Sequence, residues 1–144
     1  MMTTNSKRIL VVDDNQSLVK IAEHLLQREG YEVSTAFDGT EGIQKAQREK
    51  PDLILLDIKM PGIDGYEVCR QLQLDPNTAN IPVVFLSSKG NIDEKQGPAA
   101  VGLKEVKLAY QYGATDFLHK PISAKELITT VKSILSFDKI LSSG

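Results

Sequence analysis

The stretch that decides the fold runs from Asp52 to Gly62 and reads DLILLDIKMPG. Its four consecutive aliphatic residues, Leu53 to Leu56, lead directly into the carboxylate of Asp57. A continuous apolar run of this length is typical of a strand buried on both faces, as in a parallel sheet. The stretch therefore predicts a central strand whose carboxyl end carries the acidic side chain of Asp57.

Other apolar runs alternate with helical patterns along the rest of the chain. The remaining predicted strands are residues 9–12, 31–36, 83–86 and 116–119. Helical spacing, glycine or proline stops and capping signals predict helices at about 18–29, 40–50, from 64, from about 103 and from 123. Strands that alternate with helices predict an α/β fold, a doubly wound parallel sheet with helices on both faces.

Composition narrows the class of protein. The chain has 144 residues, 41% of them hydrophobic and 25% charged, which suits one globular domain. A net charge of -2 gives no general attraction to nucleic acid or anionic membranes. The single Cys69 excludes an internal disulfide and metal clusters of several cysteines. There is no apolar run near the ~20 residues of a membrane span and no secretory signal. We therefore expect a cytoplasmic chain with no membrane or direct nucleic-acid contact.

Three acids are predicted to meet at one edge of the sheet. Asp13 and Asp14 follow the first strand, and Asp57 ends the third. Sites in such sheets form at the carboxyl ends of the strands. Like charges this close destabilise one another, and Mg²⁺, which prefers oxygen ligands, would relieve them. Any one of these acids could instead cap a helix or form a turn, as could Asn15, but a purely structural role for all three is disfavoured.

Two further residues follow neighbouring strands at the same edge. The fourth strand leads into Ser87, and the fifth leads into Lys120, which precedes Pro121. Phosphoryl transfer needs a nucleophile, a cation and donors for the phosphoryl oxygens. A carboxylate can serve as that nucleophile and form an aspartyl phosphate.

Four motifs, in this order along the chain, carry a family resemblance. They are VVDDN at 11–15, LLDIKMPGIDG at 55–65, IPVVFLSS at 81–88 and GATDFLHKP at 113–121. With them the chain resembles the CheY-like receiver domains of response regulators in two-component phosphorelay signalling. The resemblance covers about residues 7–136, leaving 1–6 and 137–144 as tails. It implies a flavodoxin-like, five-stranded sheet of order 2-1-3-4-5 with five helices.

The resemblance also implies a metal site and an acceptor. Asp57 matches the residue that accepts the phosphoryl group, so the chain would be a signalling phosphoacceptor rather than an enzyme. Asp13 and Asp14 match the acidic pair at Mg²⁺. Asp57 and the backbone carbonyl of Lys59 would complete the protein's share of the ligands.

Three other positions match residues that bind or respond to the phosphoryl group. Ser87 matches the hydroxyl that binds it, and Lys120 matches the lysine that pairs with it. The Lys120–Pro121 bond is expected to be cis. Phe117 matches the switch aromatic, here without a phenolic hydroxyl.

Rival functions fail on particular residues. A haloacid-dehalogenase-type phosphatase needs a second Asp two residues after the first, where this chain has Lys59. A flavodoxin-like cofactor binder needs a glycine- or hydroxyl-rich phosphate loop where this chain has Asp13 and Asp14. A pseudo-receiver, acting as an interaction module without phosphorylation, would have lost a key residue. None is lost, so this function is kept only as the weaker alternative.

The chain departs in one segment from the family that it resembles, because Ser87 and Lys120 lie farther apart than is usual in that family. The surplus falls in residues 89–102, an extended loop before the helix expected near Leu103. That loop is either a tolerated surface insertion or a functional segment, namely a flexible lid or a partner-docking loop. The expected partners are a sensor histidine kinase or phosphotransfer protein, and a downstream protein or an output domain outside this chain. A homodimer formed on phosphorylation is a further expectation.

Overall fold

The computed structural model describes residues 6–87 and 110–143, with side chains as far as residue 136. Its five strands are β1 (Arg8–Val12), β2 (Glu32–Ala36), β3 (Leu53–Asp57), β4 (Val83–Ser87) and β5 (Asp116–His119). Every strand pair is parallel, and the order is β2-β1-β3-β4-β5. This confirms the predicted sheet and its order.

Four helices lie in the described part of the chain. They are α1 (Gln16–Arg28), α2 (Gly39–Glu49), α3 (Gly65–Leu74) and α4 (Ala124–Ser143). The fifth predicted helix, from about Leu103, falls outside the described residues except for Tyr110 and Gln111, whose backbone is helical. The predicted loop at 89–102 also lies outside them.

Two apolar layers enclose the sheet because side chains alternate between its faces. One layer joins the sheet to α2 and α3, and includes Leu56, Phe85 and Val68. The other joins it to α1 and α4, and includes Leu55 and Leu127. The middle strands are buried on both faces, which is why β1, β3 and β4 are almost continuously aliphatic.

Helix starts follow short polar side chains that accept a backbone N–H. Asn15 Oδ1 accepts from Leu18 N at 3.1 Å at the start of α1. Asp64 Oδ1 accepts from Glu67 N at 2.9 Å at the start of α3. The first helix is thus capped by Asn15, one residue beyond the acidic pair.

The last helix extends beyond the region of family resemblance. The α4 helix continues to Ser143, into the range 137–144 that was assigned to a tail. Apolar residues at 134, 137 and 141 keep a helical spacing there, and that signal could have predicted the extension. No helix in the described residues is long and apolar enough to cross a membrane.

Candidate functional site

Strand register brings the predicted site residues to one edge of the sheet. Val12 pairs with Leu56, so Asp13 and Asp57 follow at the same level. On the other side of β3, Asp57 pairs with Leu86 and Ser87 comes next. Ser87 in turn pairs with His119, and Lys120 comes next. The order of the strands therefore gathers residues that are far apart in sequence.

The three acids form a cluster of unequal exposure. Asp13, Asp14 and Asp57 each offer a carboxylate oxygen, and these oxygens all lie within 4.8 Å of one another. Asp13 is 0% exposed and Asp57 is 3% exposed, whereas Asp14 is exposed. The cluster thus combines two buried charges with one that solvent can reach.

Lys120 supplies the positive charge beside this cluster. Its Nζ lies 2.5 Å from Asp13 Oδ2 and 3.2 Å from Asp57 Oδ1. Its backbone N–H donates to the Ser87 carbonyl at 2.6 Å, and the Lys120–Pro121 bond is cis. Burial lowers the pKa of Lys120, but the two carboxylates outweigh burial and the pKa is raised. Lys120 is therefore charged at neutral pH.

Asp57 has a strongly perturbed acidity. Burial and the neighbouring charge of Asp13 raise its pKa to about 7, and Lys120 only partly opposes them. The carboxylate is thus costly to ionise in the absence of a further cation. A divalent cation at the cluster would favour the ionised form.

The donor set fits Mg²⁺. The ion takes hard oxygen ligands at about 2.0–2.1 Å in an octahedron, so two of its ligands are at most about 4.2 Å apart. The 4.8 Å limit on the three carboxylate oxygens exceeds that value only slightly, so small side-chain movements suffice. In the described residues, these three acids are the one group of His, Cys, Asp or Glu that could hold a metal in this way.

The other predicted residues lie around the cluster in different settings. Ser87 is 2% exposed at the end of β4. Phe117 is 9% exposed in the apolar layer that packs against α2 and α3. Its ring lies edge-on to the ring of His119, with the two ring centroids 4.9 Å apart. Lys59 has an exposed side chain and follows Ile58, whose N–H donates to Leu86 O at 3.2 Å. The loop that bears Lys59 is thus tied to β4 at its first residue.

Gly65 is a residue of this site that the sequence reasoning missed. It is the first residue of α3 and is buried, and its N–H donates to the carbonyl of Ile58 at 2.7 Å. A Cβ at this position would lie 2.4 Å from the backbone oxygen of Asp57. The sequence signal was a glycine directly after a helix cap, where a glycine is not needed for capping.

Comparison with known proteins identifies this arrangement. The family model for the response regulator receiver domain matches residues 9–132. The chain belongs to the response regulator receiver domain family. The receiver domain is 44% identical over 137 residues to the response regulator PleD of Caulobacter vibrioides, covering 94% of this chain and 28% of PleD.

Other relatives agree in sequence and in fold. The alkaline phosphatase synthesis transcriptional regulatory protein PhoP of Bacillus subtilis is 40% identical over 135 residues, which are 94% of this chain and 51% of PhoP. The crystallised chemotaxis protein CheY4 of Vibrio cholerae is 30% identical, with a TM-score of 0.74 over 90% of this chain and 98% of that chain. The receiver domain thus spans about a quarter of PleD and half of PhoP, but nearly the whole of CheY4.

Proposed function

We propose that this receiver domain accepts a phosphoryl group on Asp57 from the phosphohistidine of a sensor kinase or phosphotransfer protein. The observation that carries the proposal is the setting of Asp57. Its buried carboxylate lies 3.2 Å from the Lys120 ammonium and shares an oxygen cluster with Asp13 and Asp14. A carboxylate between a cation site and a lysine has the environment that transfer to a nucleophile requires.

The transfer exchanges one bond to phosphorus for another. An ionised Asp57 oxygen attacks the phosphorus atom and forms a P–O bond, while the P–N bond breaks and its electron pair stays on the histidine nitrogen. Asp13, Asp14, Asp57 and the Lys59 carbonyl would hold Mg²⁺, which would supply positive charge to neutralise the phosphoryl oxygens. Lys120 donates to a phosphoryl oxygen from the opposite side of the cluster. Rigid placement by β3 matters because such transfer depends mainly on positioning and electrostatics.

The response to phosphorylation is proposed to pass through Ser87 and Phe117. Ser87 would bind the new phosphoryl group and draw the end of β4 inward. Phe85 in β4 pairs with Phe117 in β5. A movement of β4 would therefore be passed to the strand that carries Phe117. A complete switch needs about 5.5 kcal/mol of differential binding, which charge-assisted bonds at a buried site can supply.

The partners follow from this chemistry. A phosphohistidine protein would load Asp57, and a downstream protein or an output domain would read the switched state. A homodimer formed on phosphorylation is a second form of output. The printed name of PhoP describes a transcriptional regulatory protein, which makes an output domain on the same polypeptide one candidate for the reader.

Chemical phosphorylation tests the proposal directly. Wild type, Asp57→Asn and Asp52→Asn are incubated with acetyl phosphate, with and without Mg²⁺, and intact mass is measured. Asp52 is a matched control because it lies just before β3, where its Oδ2 accepts from Arg8 N at 2.8 Å. We expect modification of wild type and Asp52→Asn with Mg²⁺ and none of Asp57→Asn. Equal modification of all three proteins would show that Asp57 is not the acceptor.

The alternative function is a pseudo-receiver that binds partners without phosphorylation. It predicts no change of mass in wild type under any of these conditions. The intact cluster of Asp13, Asp14, Asp57 and Lys120 disfavours it.

A second experiment tests the switch. Ser87→Ala and wild type are compared by NMR on binding of beryllofluoride, which imitates the phosphoryl group. We expect Ser87→Ala to bind the mimic while the shifts around Phe117 change less than in wild type. Identical shift changes would remove Ser87 from the coupling.

A further inference from the structure

The start of α3 lies in direct contact with the peptide that carries Asp57. A Cβ on Gly65 would meet the backbone oxygen of Asp57 at 2.4 Å and the Cα of Ile58 at 2.8 Å. Both distances are below 3.0 Å, and real Cβ atoms essentially never come that close to another heavy atom. Because the atoms met are backbone, a side-chain rotation cannot relieve the clash.

Other helical glycines in the described residues are different. A Cβ on Gly39 would meet Ile63 Cγ1 at 2.6 Å and Val68 Cγ2 at 2.7 Å, which are side-chain atoms. A Cβ on Gly42 would meet both Cγ atoms of Val12 at 3.0 Å. These side chains can move without shifting a main chain, so the constraint at Gly65 is of another kind.

The same residue closes the loop between β3 and α3. The Gly65 N–H donates to the Ile58 carbonyl at 2.7 Å, which joins the two ends of a loop that contains Lys59. Asp64 fixes the start of the helix, since its Oδ1 accepts from Glu67 N at 2.9 Å. The position of α3 therefore determines where the Asp57–Ile58 peptide and the Lys59 backbone lie.

We propose that Gly65 is a positioning residue for the acceptor site. By lacking a side chain, it lets α3 begin against the Asp57–Ile58 peptide and hold the Asp57 carboxylate and the Lys59 carbonyl in register with Asp13 and Asp14. The inference rests on the proposed function of Asp57. Gly65 itself touches neither the metal nor the phosphoryl group and acts through the peptide that it contacts.

The size of the expected effect follows from the overlap. Ordinary contact begins at about 3.4 Å, so the Asp57 oxygen or the helix must move by about 1 Å to admit a Cβ. A misplacement of about 1 Å can slow a reaction about 100-fold where geometry decides the rate. Alanine also favours a helix more than glycine does, so stability and site geometry need not change together.

The test compares Gly65→Ala with Gly39→Ala, a matched substitution at the first position of α2. Three quantities are measured: the free energy of unfolding in urea, the Kd for Mg²⁺ by calorimetry, and the rate of phosphorylation by acetyl phosphate. NMR gives the amide shifts of Ile58 and Lys59 before any ligand is added. These readouts separate site geometry from stability.

We expect Gly65→Ala to bind Mg²⁺ about tenfold more weakly and to be phosphorylated ten- to a hundredfold more slowly, with altered Ile58 and Lys59 shifts. Gly39→Ala should stay within about twofold of wild type in both quantities. If both variants match wild type in Mg²⁺ affinity and rate, Gly65 has no positioning role. If both lose affinity in proportion to lost stability, the role of Gly65 is only structural.

A second pair keeps the test decisive if Gly65→Ala does not fold. Asp64→Ala and Asp38→Ala remove equivalent caps, since Asp38 Oδ1 accepts from Glu41 N at 2.8 Å at the start of α2. Each should lower the urea concentration at the midpoint of unfolding by a similar amount. We expect only Asp64→Ala to weaken Mg²⁺ binding, by about threefold, and equal affinities would contradict the proposal. Failure of wild type itself to be modified at Asp57 would instead overturn the proposed function.

Discussion

Lys120 lies closer to Asp13 than to Asp57, with its Nζ at 2.5 Å from Asp13 Oδ2 and 3.2 Å from Asp57 Oδ1. Asp13 is fully buried, so its charge requires a nearby counter-charge. Lys120 supplies that charge in the metal-free protein. Under the proposed function, a cation bound by the acids would share the attraction of Asp13 for Lys120, and the ammonium would then pair with a phosphoryl group on Asp57.

The first prediction concerns Lys120→Met. Without Mg²⁺, this variant should lose about 3 kcal/mol in its free energy of unfolding, because removing one partner leaves buried carboxylates uncompensated. Saturating Mg²⁺ should restore most of that loss, since the cation replaces the missing charge. Urea denaturation with and without Mg²⁺ measures both effects.

Lys132→Met is the matched control for that prediction. The Lys132 ammonium lies 2.6 Å from Glu29 Oε1, but the lysine side chain is 52% exposed. Water screens this pair, so the substitution should change stability little, and equally with and without Mg²⁺. A loss in Lys120→Met that Mg²⁺ does not repair would contradict the account of Lys120 as a counter-ion.

The second prediction concerns pH. The pKa of Asp57 is about 7 in the folded protein and about 3.9 when unfolded, so between these values the folded state binds more protons. The stability that the protonated acid contributes is present below pH 4 and is lost as the pH rises through about 7. Without divalent cations, wild type should therefore lose on the order of 1 kcal/mol per pH unit within this window, relative to Asp57→Asn.

Denaturation of both proteins at several pH values measures the difference between their free energies of unfolding. Groups that titrate in both proteins do not contribute to this difference. Saturating Mg²⁺ should flatten it, because the cation favours the ionised acid. A difference between wild type and Asp57→Asn that does not vary from pH 4 to pH 7.5 would show that Asp57 ionises normally.

The third prediction separates the two members of the acidic pair. Asp14 is exposed, so Asp14→Asn should weaken Mg²⁺ binding about tenfold or more with little loss of stability. Asp13 is buried, pairs with Lys120, and accepts from the Asn15 N–H at 2.9 Å through Oδ1. Asp13→Asn should therefore reduce both Mg²⁺ affinity and metal-free stability. Calorimetric titration with Mg²⁺ and urea denaturation after EDTA treatment test this contrast, and equal stability losses would contradict it.

Much of the fold was predictable because local patterns and strand order agree. The aliphatic runs of β1, β3 and β4 are long enough to indicate buried parallel strands, and each is followed by a site residue. The convergence of Asp13, Asp57 and Lys120 follows from the register of those strands. The order of the strands was predicted from the family resemblance, because the alternation of elements does not determine it.

The unpredicted features arise from tertiary distances. No local pattern says that the start of α3 touches the backbone of Asp57, so the contact made by Gly65 could not be predicted. The preference of Lys120 for Asp13 over Asp57 depends on side-chain reach across two strands. The extent of α4 is an exception, since apolar residues at 134, 137 and 141 keep a helical spacing that could have predicted it.

The fourth prediction concerns the single thiol. Cys69 is buried in α3, its Sγ lies 3.0 Å from the Tyr112 carbonyl, and burial raises its pKa to about 11. Because the thiolate is the reactive form, Cys69 should react with a disulfide reagent many orders of magnitude more slowly in the folded protein than in urea. Absorbance of the released thiol measures the rate. Fast labelling of the folded protein would mean that α3 opens readily.

The register of the strands also determines where this chain can tolerate insertions and deletions. Asp57 pairs with Leu86, and Ser87 pairs with His119, so each site residue is placed by counting along its own strand. One residue added inside β3 would turn Asp57 to the opposite face of the sheet. Connections at the other edge, such as residues 75–82, can change length at small entropic cost without altering that count. Length variation among relatives is therefore expected to spare the strands and to fall in the connections between them.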